Sequence, residues 1–224
     1  SILWSLERLA WVPELLEPVA ILLMKIHLLA SPFDERSGNL PISSLEGVLS
    51  MGVPQTSANT QVRKRTLSKL AKIFERDALD LFVPMLDSVG GRFVTSTSKP
   101  VFTMVEELTL TWGDVYEVRD LVAELAIDVA GNDVKALARL VDCSPSMIDP
   151  LFERFVGVLS ELPSGADGSE ELLNELRTFV GRNTEFEEAK WAAPKERVDK
   201  LRDVHDKLRP DTAKRYLWLF EDQW

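Results

Sequence analysis

The side chains that most often perform catalysis are scarce in this sequence of 224 residues. It holds one cysteine, Cys143, and two histidines, His27 and His205. Nucleophilic catalysis needs a nucleophile, a base beside it and a group that orients the base. Cys143 ends an apolar helix pattern, which predicts a small buried side chain. Both histidines lie on or beside apolar stripes, which predicts partly buried imidazoles. We therefore predict no catalytic residue.

Motifs for metals and phosphates are absent from the sequence as well. A single cysteine excludes a disulfide framework and any multi-cysteine metal site, and two distant histidines lack metal-ligand spacing. Neither Gly-x-x-x-x-Gly-Lys-Ser/Thr nor Gly-x-Gly-x-x-Gly occurs. We predict no metal and no cofactor. The alternative is an enzyme of unrecognised type that uses Asp or Glu carboxylates with His27 or His205.

The charge balance is acidic and unevenly distributed. The chain carries 26 Lys and Arg against 36 Asp and Glu, a formal net charge of −10. Residues 1–112 carry 11 basic and 12 acidic side chains, and residues 113–224 carry 15 and 24. Such acidity disfavours general binding to nucleic acids or to anionic membranes. The most apolar stretch, residues 10–30, contains charged residues and prolines and is far from the roughly 20 apolar residues that a membrane span needs.

One helical segment stands out by its basic residues. Four of them, spaced by four, three and four residues, share one helix face and are here called the basic ridge: Arg65, Lys69, Lys72 and Arg76. Arg63 and Lys64 extend the cluster towards the N-terminus. A solvated helix face is the first interpretation of the ridge. As a functional site it would bind an acidic partner, a phosphate or the acidic half of the chain, and weak nucleic-acid or anion binding through residues 63–76 is the further alternative.

Helical periodicity dominates the sequence. Between residues 12 and 29, apolar residues recur at steps of three and four, which predicts one buried face: Val12, Leu15, Val19, Leu22, Ile26 and Leu29. Pro18 should kink this helix or start a new one. Ser43 with Glu46 predicts a capping box, Asn59 a helix cap, and Thr111 with Asp114 another cap. Ser144-Pro145 predicts the start of a helix whose inner stripe is Phe152, Phe155, Leu159 and Leu162.

These patterns together predict about ten or eleven mostly short helices with short connections. The predicted fold class is all-α, an irregular α-solenoid of stacked helical hairpins similar to HEAT or tetratricopeptide repeats. Residues 89–112 are predicted to form either a long loop or a small hairpin. The chain is predicted to be a single helical domain over 1–224 and a fragment of a longer protein. A subdivision near 89–112 is the alternative.

The residue pattern of the segment Ala136–Ile148 resembles that of a helix-turn-helix motif. The second helix of this motif would carry Asp149 and Glu153, which repel phosphate, so we predict a helical-repeat corner here and not a DNA reader.

Several loop and packing segments resemble the helical-repeat region of large bacterial STAND-type NTPases. They are Asn39–Leu49, Pro54–Ala58, Ser98–Pro100 and Leu217–Phe220. The resemblance implies an ATPase module that lies outside this chain, and helical repeats that act as a ligand-sensing or scaffold arm. The matched loops, 39–58 and 96–100, add Gln55 and Lys99 to the candidate partner-binding residues.

The function predicted from the sequence is therefore a non-catalytic helical-repeat segment. It would recognise a protein partner, or another domain of the same bacterial protein, in the cytoplasm. The candidate contact residues are Arg65, Lys69, Lys72, Arg76, Gln55 and Lys99.

Overall fold

The computed structural model of the chain describes residues 2–29, 40–51, 55–87, 110–166 and 168–209. Every regular element within these ranges is an α-helix or a short 3₁₀ turn, which confirms the all-α prediction. Residues 88–109 lie outside the described part, so the predicted loop or hairpin at 89–112 stays a prediction. The predicted last helix, from Asp211 to about Glu221, also lies outside it.

The α-helices follow one another with short connections. They are α1 (Ile2–Leu9), α2 (Pro13–Leu29), α3 (Pro41–Leu49), α4 (Thr60–Phe74), α5 (Leu79–Asp87), α6 (Trp112–Ala130), α7 (Val134–Ala138), α8 (Asp149–Glu161), α9 (Ser169–Glu185) and α10 (Lys195–Leu208). Two 3₁₀ turns, Glu75–Ala78 and Ser144–Ser146, precede α5 and α8.

The chain divides into two compact units, here called unit 1 (residues 1–129) and unit 2 (residues 130–224). In unit 1, α2 packs against α1, α3 and α4, and α3 packs against α5. In unit 2, α9 packs against α7 and α10, and α10 also packs against α8. The subdivision considered from the sequence lay near 89–112, whereas the boundary between the two units falls after Val129.

Side-chain caps explain where several helices begin. The Asn59 side chain accepts a hydrogen bond from the Val62 amide at 3.0 Å, as predicted for the start of α4. Asp133 caps α7 by accepting from the Ala136 amide at 2.9 Å. At the start of α6, Asp114 accepts from the Thr111 amide at 2.8 Å and its own amide donates to the Thr111 hydroxyl at 3.2 Å. This reciprocal pair is the predicted cap of α6.

Two predicted helix starts are wrong. The capping box at Ser43 and Glu46 does not form, because α3 already begins at Pro41, whose fixed φ and missing N–H suit the first helical position. The Ser44 hydroxyl instead donates to the Glu7 carboxylate on α1. Ser144-Pro145 forms a 3₁₀ turn, and α8 starts later with Pro150 in its first turn.

The inner stripe of α8 is as predicted, but that of α2 is not. Phe152, Phe155, Leu159 and Leu162 are all buried. The buried face of α2 consists of Leu16, Val19, Ala20, Leu23 and Met24. Leu15, Leu22 and Leu29 of the predicted stripe are exposed. Since α2 has apolar residues on nearly every side, its periodicity does not show which face is buried. The helix also continues through Pro18, so the predicted break into two helices does not occur there.

Asp114 joins the start of α6 to the start of α4. Its carboxylate accepts from the Thr111 hydroxyl and from the Thr60 hydroxyl, both at 2.6 Å. These hydrogen bonds, with that from the Thr111 amide, lower the pKa of Asp114 from 3.8 to about 2.

A pH dependence of stability follows from this low pKa. Because the folded-state pKa lies below the unfolded value, the stabilisation is complete above about pH 4 and is lost as the pH falls towards about 2. We expect Asp114→Asn to flatten the pH dependence of the free energy of unfolding in this window. Urea unfolding of both proteins, followed by circular dichroism at several pH values, measures it. If the free energy of unfolding changed with pH equally in the wild type and the variant, the low pKa of Asp114 would be contradicted.

Candidate functional site

Helix α4 concentrates positive charge in unit 1. Between Thr60 and Phe74 it has five basic residues and no acidic one: Arg63, Lys64, Arg65, Lys69 and Lys72. The helix is half buried, so these residues do not share one environment. Successive positions point in directions about 100° apart, and the packing of α4 against α2 therefore separates them into inner and outer sets.

Arg63 belongs to the inner set and is fully buried, with 0% of its surface exposed. The guanidinium donates to three backbone carbonyls between α3 and α4: Nε to Ala58 at 3.0 Å, and the terminal nitrogens to Ser50 at 2.8 Å and Thr56 at 3.3 Å. Arg63 therefore holds the connection before α4. The prediction that it extends a surface basic cluster is wrong, because position 63 shares the buried face of α4 with Leu67 and Leu70.

Burial lowers the pKa of Arg63 from 12.5 to about 10. The guanidinium therefore remains charged at neutral pH. Carbonyl oxygens carry partial negative charge, so the three that accept from the guanidinium stabilise the buried cation.

Arg65, Lys69 and Lys72 of the basic ridge form the outer set of α4 and are exposed. Arg76 is also exposed, but it lies in the 3₁₀ turn after α4 ends at Phe74, so the prediction that all four residues share one helix face is wrong for Arg76. Arg65 Nε lies 3.4 Å from Glu17 Oε2 on α2. In the part of the chain that the structure describes, neither Lys69 nor Lys72 has an ion pair. These two ammonium groups, three residues apart, are the ridge charges that are available to an acidic ligand.

A shallow groove borders the ridge on the side of α2. It has a volume of about 460 Å³ and is lined by Glu14, Glu17, Pro18, Arg65 and Lys69. Lys64 lies outside the groove and pairs with Glu117 on α6. Two cations, Arg65 and Lys69, and two carboxylates, Glu14 and Glu17, therefore line one groove between α2 and α4.

The other two predicted contact residues do not join this surface. Gln55 is buried, with 2% of its surface exposed, next to the buried Thr56. It packs inside unit 1 because Arg63 binds the carbonyls on both sides of it. Gln55 is therefore not placed where a partner could contact it directly. Lys99 lies outside the described residues.

The histidines and the cysteine have local structural contacts. His27 Nε2 lies 3.0 Å from Asp80 Oδ2 on α5, in unit 1. His205 lies in unit 2 beside Asp206, and burial lowers its pKa although Asp206 acts in the opposite direction. Cys143 is buried, with its Sγ 3.6 Å from the Leu140 carbonyl oxygen. Among the described residues, no group of three or more His, Cys, Asp and Glu side chains could hold a metal ion.

Sequence reasoning missed several exposed apolar residues of α2 and α4. Leu15 and Leu22 on α2 are 37% and 42% exposed, and Ile73 on α4 is 42% exposed. The heptad spacing of the two leucines was visible in the sequence but was assigned to the core. A helix with apolar residues on both faces was the available signal that one of these faces would be left outside.

Unit 2 contains a second arginine that binds loop carbonyls. One terminal nitrogen of Arg197, on α10, donates to the carbonyls of Pro145 and Met147 at 2.6 and 2.7 Å. The other terminal nitrogen contacts the Asp149 carboxylate, and the guanidinium lies 4.7 Å from the centre of the Phe152 ring. Arg197 thus stabilises the connection between α7 and α8 by hydrogen bonds. This connection belongs to the segment whose sequence resembles a helix-turn-helix motif.

We expect Arg197→Met to lower the free energy of unfolding by about 1–3 kcal/mol, because two loop carbonyls lose their donor. Arg202→Met, which removes an exposed ion pair with Asp199 on the same helix and an exposed hydrogen bond to the Thr184 hydroxyl on α9, should change it by less than about 1 kcal/mol. Urea unfolding monitored by circular dichroism compares the two variants. Equal losses would show that Arg197 is an ordinary surface residue.

Comparison with protein-family models, with curated proteins and with solved structures finds no match to this chain. The candidate site therefore rests on the geometry of unit 1. Within the described ranges, no helix combines the length and apolar character needed to cross a lipid bilayer.

Proposed function

We propose that this chain is a non-catalytic helical segment that recognises an acidic protein partner through the outer face of α4. The observation that supports this most strongly is the pair Lys69 and Lys72: two exposed lysines one turn apart, on a helix without acidic residues. Both belong to the ridge that the sequence singled out. Clustered cations on one face attract a partner of opposite charge and fix its orientation.

The wider proposal retains the architecture predicted from the sequence. Neighbouring helices pack as pairs within each unit, such as α2 with α3 and α9 with α10. Such pairs are the building blocks of helical-repeat proteins, and they support an irregular α-solenoid. The proposed setting is the cytoplasm, in a large bacterial protein of the STAND type whose ATPase module lies outside this chain.

The alternative of an enzyme built around His27 or His205 has less support. The two histidines belong to different units, and each contacts a carboxylate that is partly or largely exposed. A residue that acts as a general acid or base must have a pKa near the working pH and must lie within reach of a bound substrate. The weak nucleic-acid alternative has less support too, because Arg63 is buried and Arg65 and Lys64 already contact carboxylates.

The proposal is tested by titrating the whole chain into a fluorescein-labelled oligoglutamate and measuring fluorescence anisotropy. We expect binding that weakens as the ionic strength rises to about 0.15 M, because exposed charges are then screened. A labelled DNA duplex of similar charge serves as the comparison and should bind more weakly. Tighter binding of the DNA would contradict the proposal, as would the absence of oligoglutamate binding at low salt.

A further inference from the structure

The connection between α9 and α10 exposes two aromatic rings that lie next to each other. Phe186 and Trp191 are 50% and 58% exposed, and their ring centres are 5.9 Å apart. The guanidinium of Arg182 lies 5.8 Å from the centre of the Trp191 ring and is paired with the Asp142 carboxylate at 3.1 Å. The two rings are here called the aromatic patch. Aromatic residues are enriched at surfaces that bind other proteins.

Hydrogen bonds fix the backbone that carries the aromatic patch. The side chain of Asn183, which is 4% exposed, accepts from the Ala193 amide at 2.7 Å and so ties the end of the connection to α9. The Ala189 amide donates to the Phe186 carbonyl, and the Ala192 amide donates to the Ala189 carbonyl, both at 2.9 Å. The backbone of the patch is therefore preorganised, which lowers the entropy that a partner must overcome on binding.

The same short segment carries an excess of negative charge. Glu185, Glu187 and Glu188 are exposed, and Lys190 is the one basic residue between Glu185 and Trp191. None of these three glutamates forms an ion pair with another described residue. A partner that matches this segment combines apolar surface with positive charge.

The outer face of α4 has this combination. Lys69, Lys72 and Ile73 are exposed, and because Lys72 and Ile73 follow Lys69 by three and four residues, the three side chains share one helix face. Ile73 is 42% exposed. The ridge in turn requires an acidic partner, so each of the two surfaces has the chemistry that the other one needs.

We infer that the acidic partner of the ridge is a second copy of this chain, an inference that rests on the proposed function. Ile73 of one copy packs against the aromatic patch of the next copy, and Lys69 and Lys72 lie against Glu187 and Glu188. The two surfaces differ, so the contact is heterologous and can be repeated into a ring or a filament. An acidic protein without an apolar surface would satisfy the lysines but would leave the aromatic patch in water.

Sedimentation velocity of the whole chain, in a concentration series up to about 0.2 mM, tests this inference. We expect the wild type to associate, and we expect Lys69→Glu with Lys72→Glu, and Trp191→Ser, each to associate at least about tenfold more weakly. An equimolar mixture of these two variants should form dimers and nothing larger. The mixture retains one intact pair of surfaces, the patch of the first variant and the ridge of the second.

Two further variants keep the test specific. Trp4→Ser is the matched control, because Trp4 is exposed to the same extent as Trp191 (59% against 58%) but lies on α1; it should associate as the wild type does. Glu187→Lys with Glu188→Lys disrupts the segment without changing an aromatic ring and should also abolish association. Circular dichroism of each variant shows that it is folded.

The outcomes separate this inference from the proposed function. A wild type that binds oligoglutamate but stays monomeric throughout the series would overturn the second copy and leave the acidic partner in place. Association of Trp191→Ser equal to that of the wild type, an equal loss in Trp4→Ser, or a mixture that forms no dimers would overturn it as well. Absence of oligoglutamate binding at low salt would overturn the proposed function, and this inference with it.

Discussion

Replacing Arg63 by methionine is expected to lower the free energy of unfolding by about 3–5 kcal/mol, the largest effect of any single substitution considered. Methionine fills much of the same space but donates no hydrogen bond. The carbonyl oxygens of Ser50, Thr56 and Ala58 would lose the guanidinium as a donor. A buried carbonyl without its donor costs about 1–3 kcal/mol, so three carbonyls at the lower end of this range already cost about 3 kcal/mol.

The control for Arg63→Met lies two residues away. Arg65→Met makes the same chemical change on the same helix, but the Arg65 side chain is 67% exposed and its ion pair is near the surface. We expect it to change stability by no more than about 0.5 kcal/mol. Urea unfolding followed by circular dichroism measures both. Similar midpoints for the two variants would show that Arg63 does not hold the connection before α4.

Arg63→Lys separates the charge of Arg63 from its geometry. A lysine keeps the positive charge, but its single ammonium cannot present the planar fork that reaches three carbonyls at fixed angles. We expect most of the destabilisation of Arg63→Met to remain. Full recovery of wild-type stability in this variant would indicate that the buried charge alone is sufficient.

The sequence predicts α4 well where local chemistry decides. Asn59 caps its start, and Leu67 and Leu70 face inward as their spacing indicates. The different roles of Arg63 and Arg65 are not visible in the same way, because both are charged residues in one basic cluster. Tertiary packing decides which of them is buried: Arg63 faces the carbonyls of the connection before α4, and Arg65 does not.

The buried face of α2 could not be predicted from the sequence either. Leu16 and Leu23 are buried, and Leu15 and Leu22 directly before them are exposed. Both pairs have heptad spacing, so periodicity supports either face equally. The choice depends on which face the helices of unit 1 cover. The exposure of Leu15 and Leu22 was therefore not predictable from the sequence.

Gln55 illustrates why loop residues were the least predictable part of the site. A polar residue between helices is usually exposed. Here the carbonyls on both sides of Gln55 bind a buried guanidinium, which draws the connection inward. No pattern in the sequence of residues 50–58 indicates that Arg63, on the following helix, donates hydrogen bonds to carbonyls of this segment.

A double charge reversal, Lys69→Glu with Lys72→Glu, is expected to weaken oligoglutamate binding at least tenfold. Each exposed pair contributes about 0.2–1 kcal/mol, and reversal replaces attraction by repulsion at both positions. Two attractions lost and two repulsions gained amount to about 0.8–4 kcal/mol, and the middle of this range exceeds the roughly 1.4 kcal/mol that corresponds to a tenfold change in affinity. Both side chains point into solvent, so the fold should tolerate the change.

The matched control is Lys190→Glu with Lys195→Glu in unit 2, which changes the net charge by the same amount at two exposed lysines that are not part of the ridge. If binding depended only on the total charge of the protein, both double variants would weaken it equally. Binding by the ridge predicts that this control keeps its affinity for oligoglutamate within about twofold.

The most direct measurement is a titration of wild type and the Lys69→Glu, Lys72→Glu variant against two labelled peptides, oligoglutamate and oligolysine, at the same low salt. If the ridge recognises an acidic partner, the wild type binds oligoglutamate and the variant binds it at least tenfold more weakly. The variant also binds oligolysine more tightly than the wild type does. Unchanged oligoglutamate binding by the variant, or an equal loss in the unit 2 control, would contradict it.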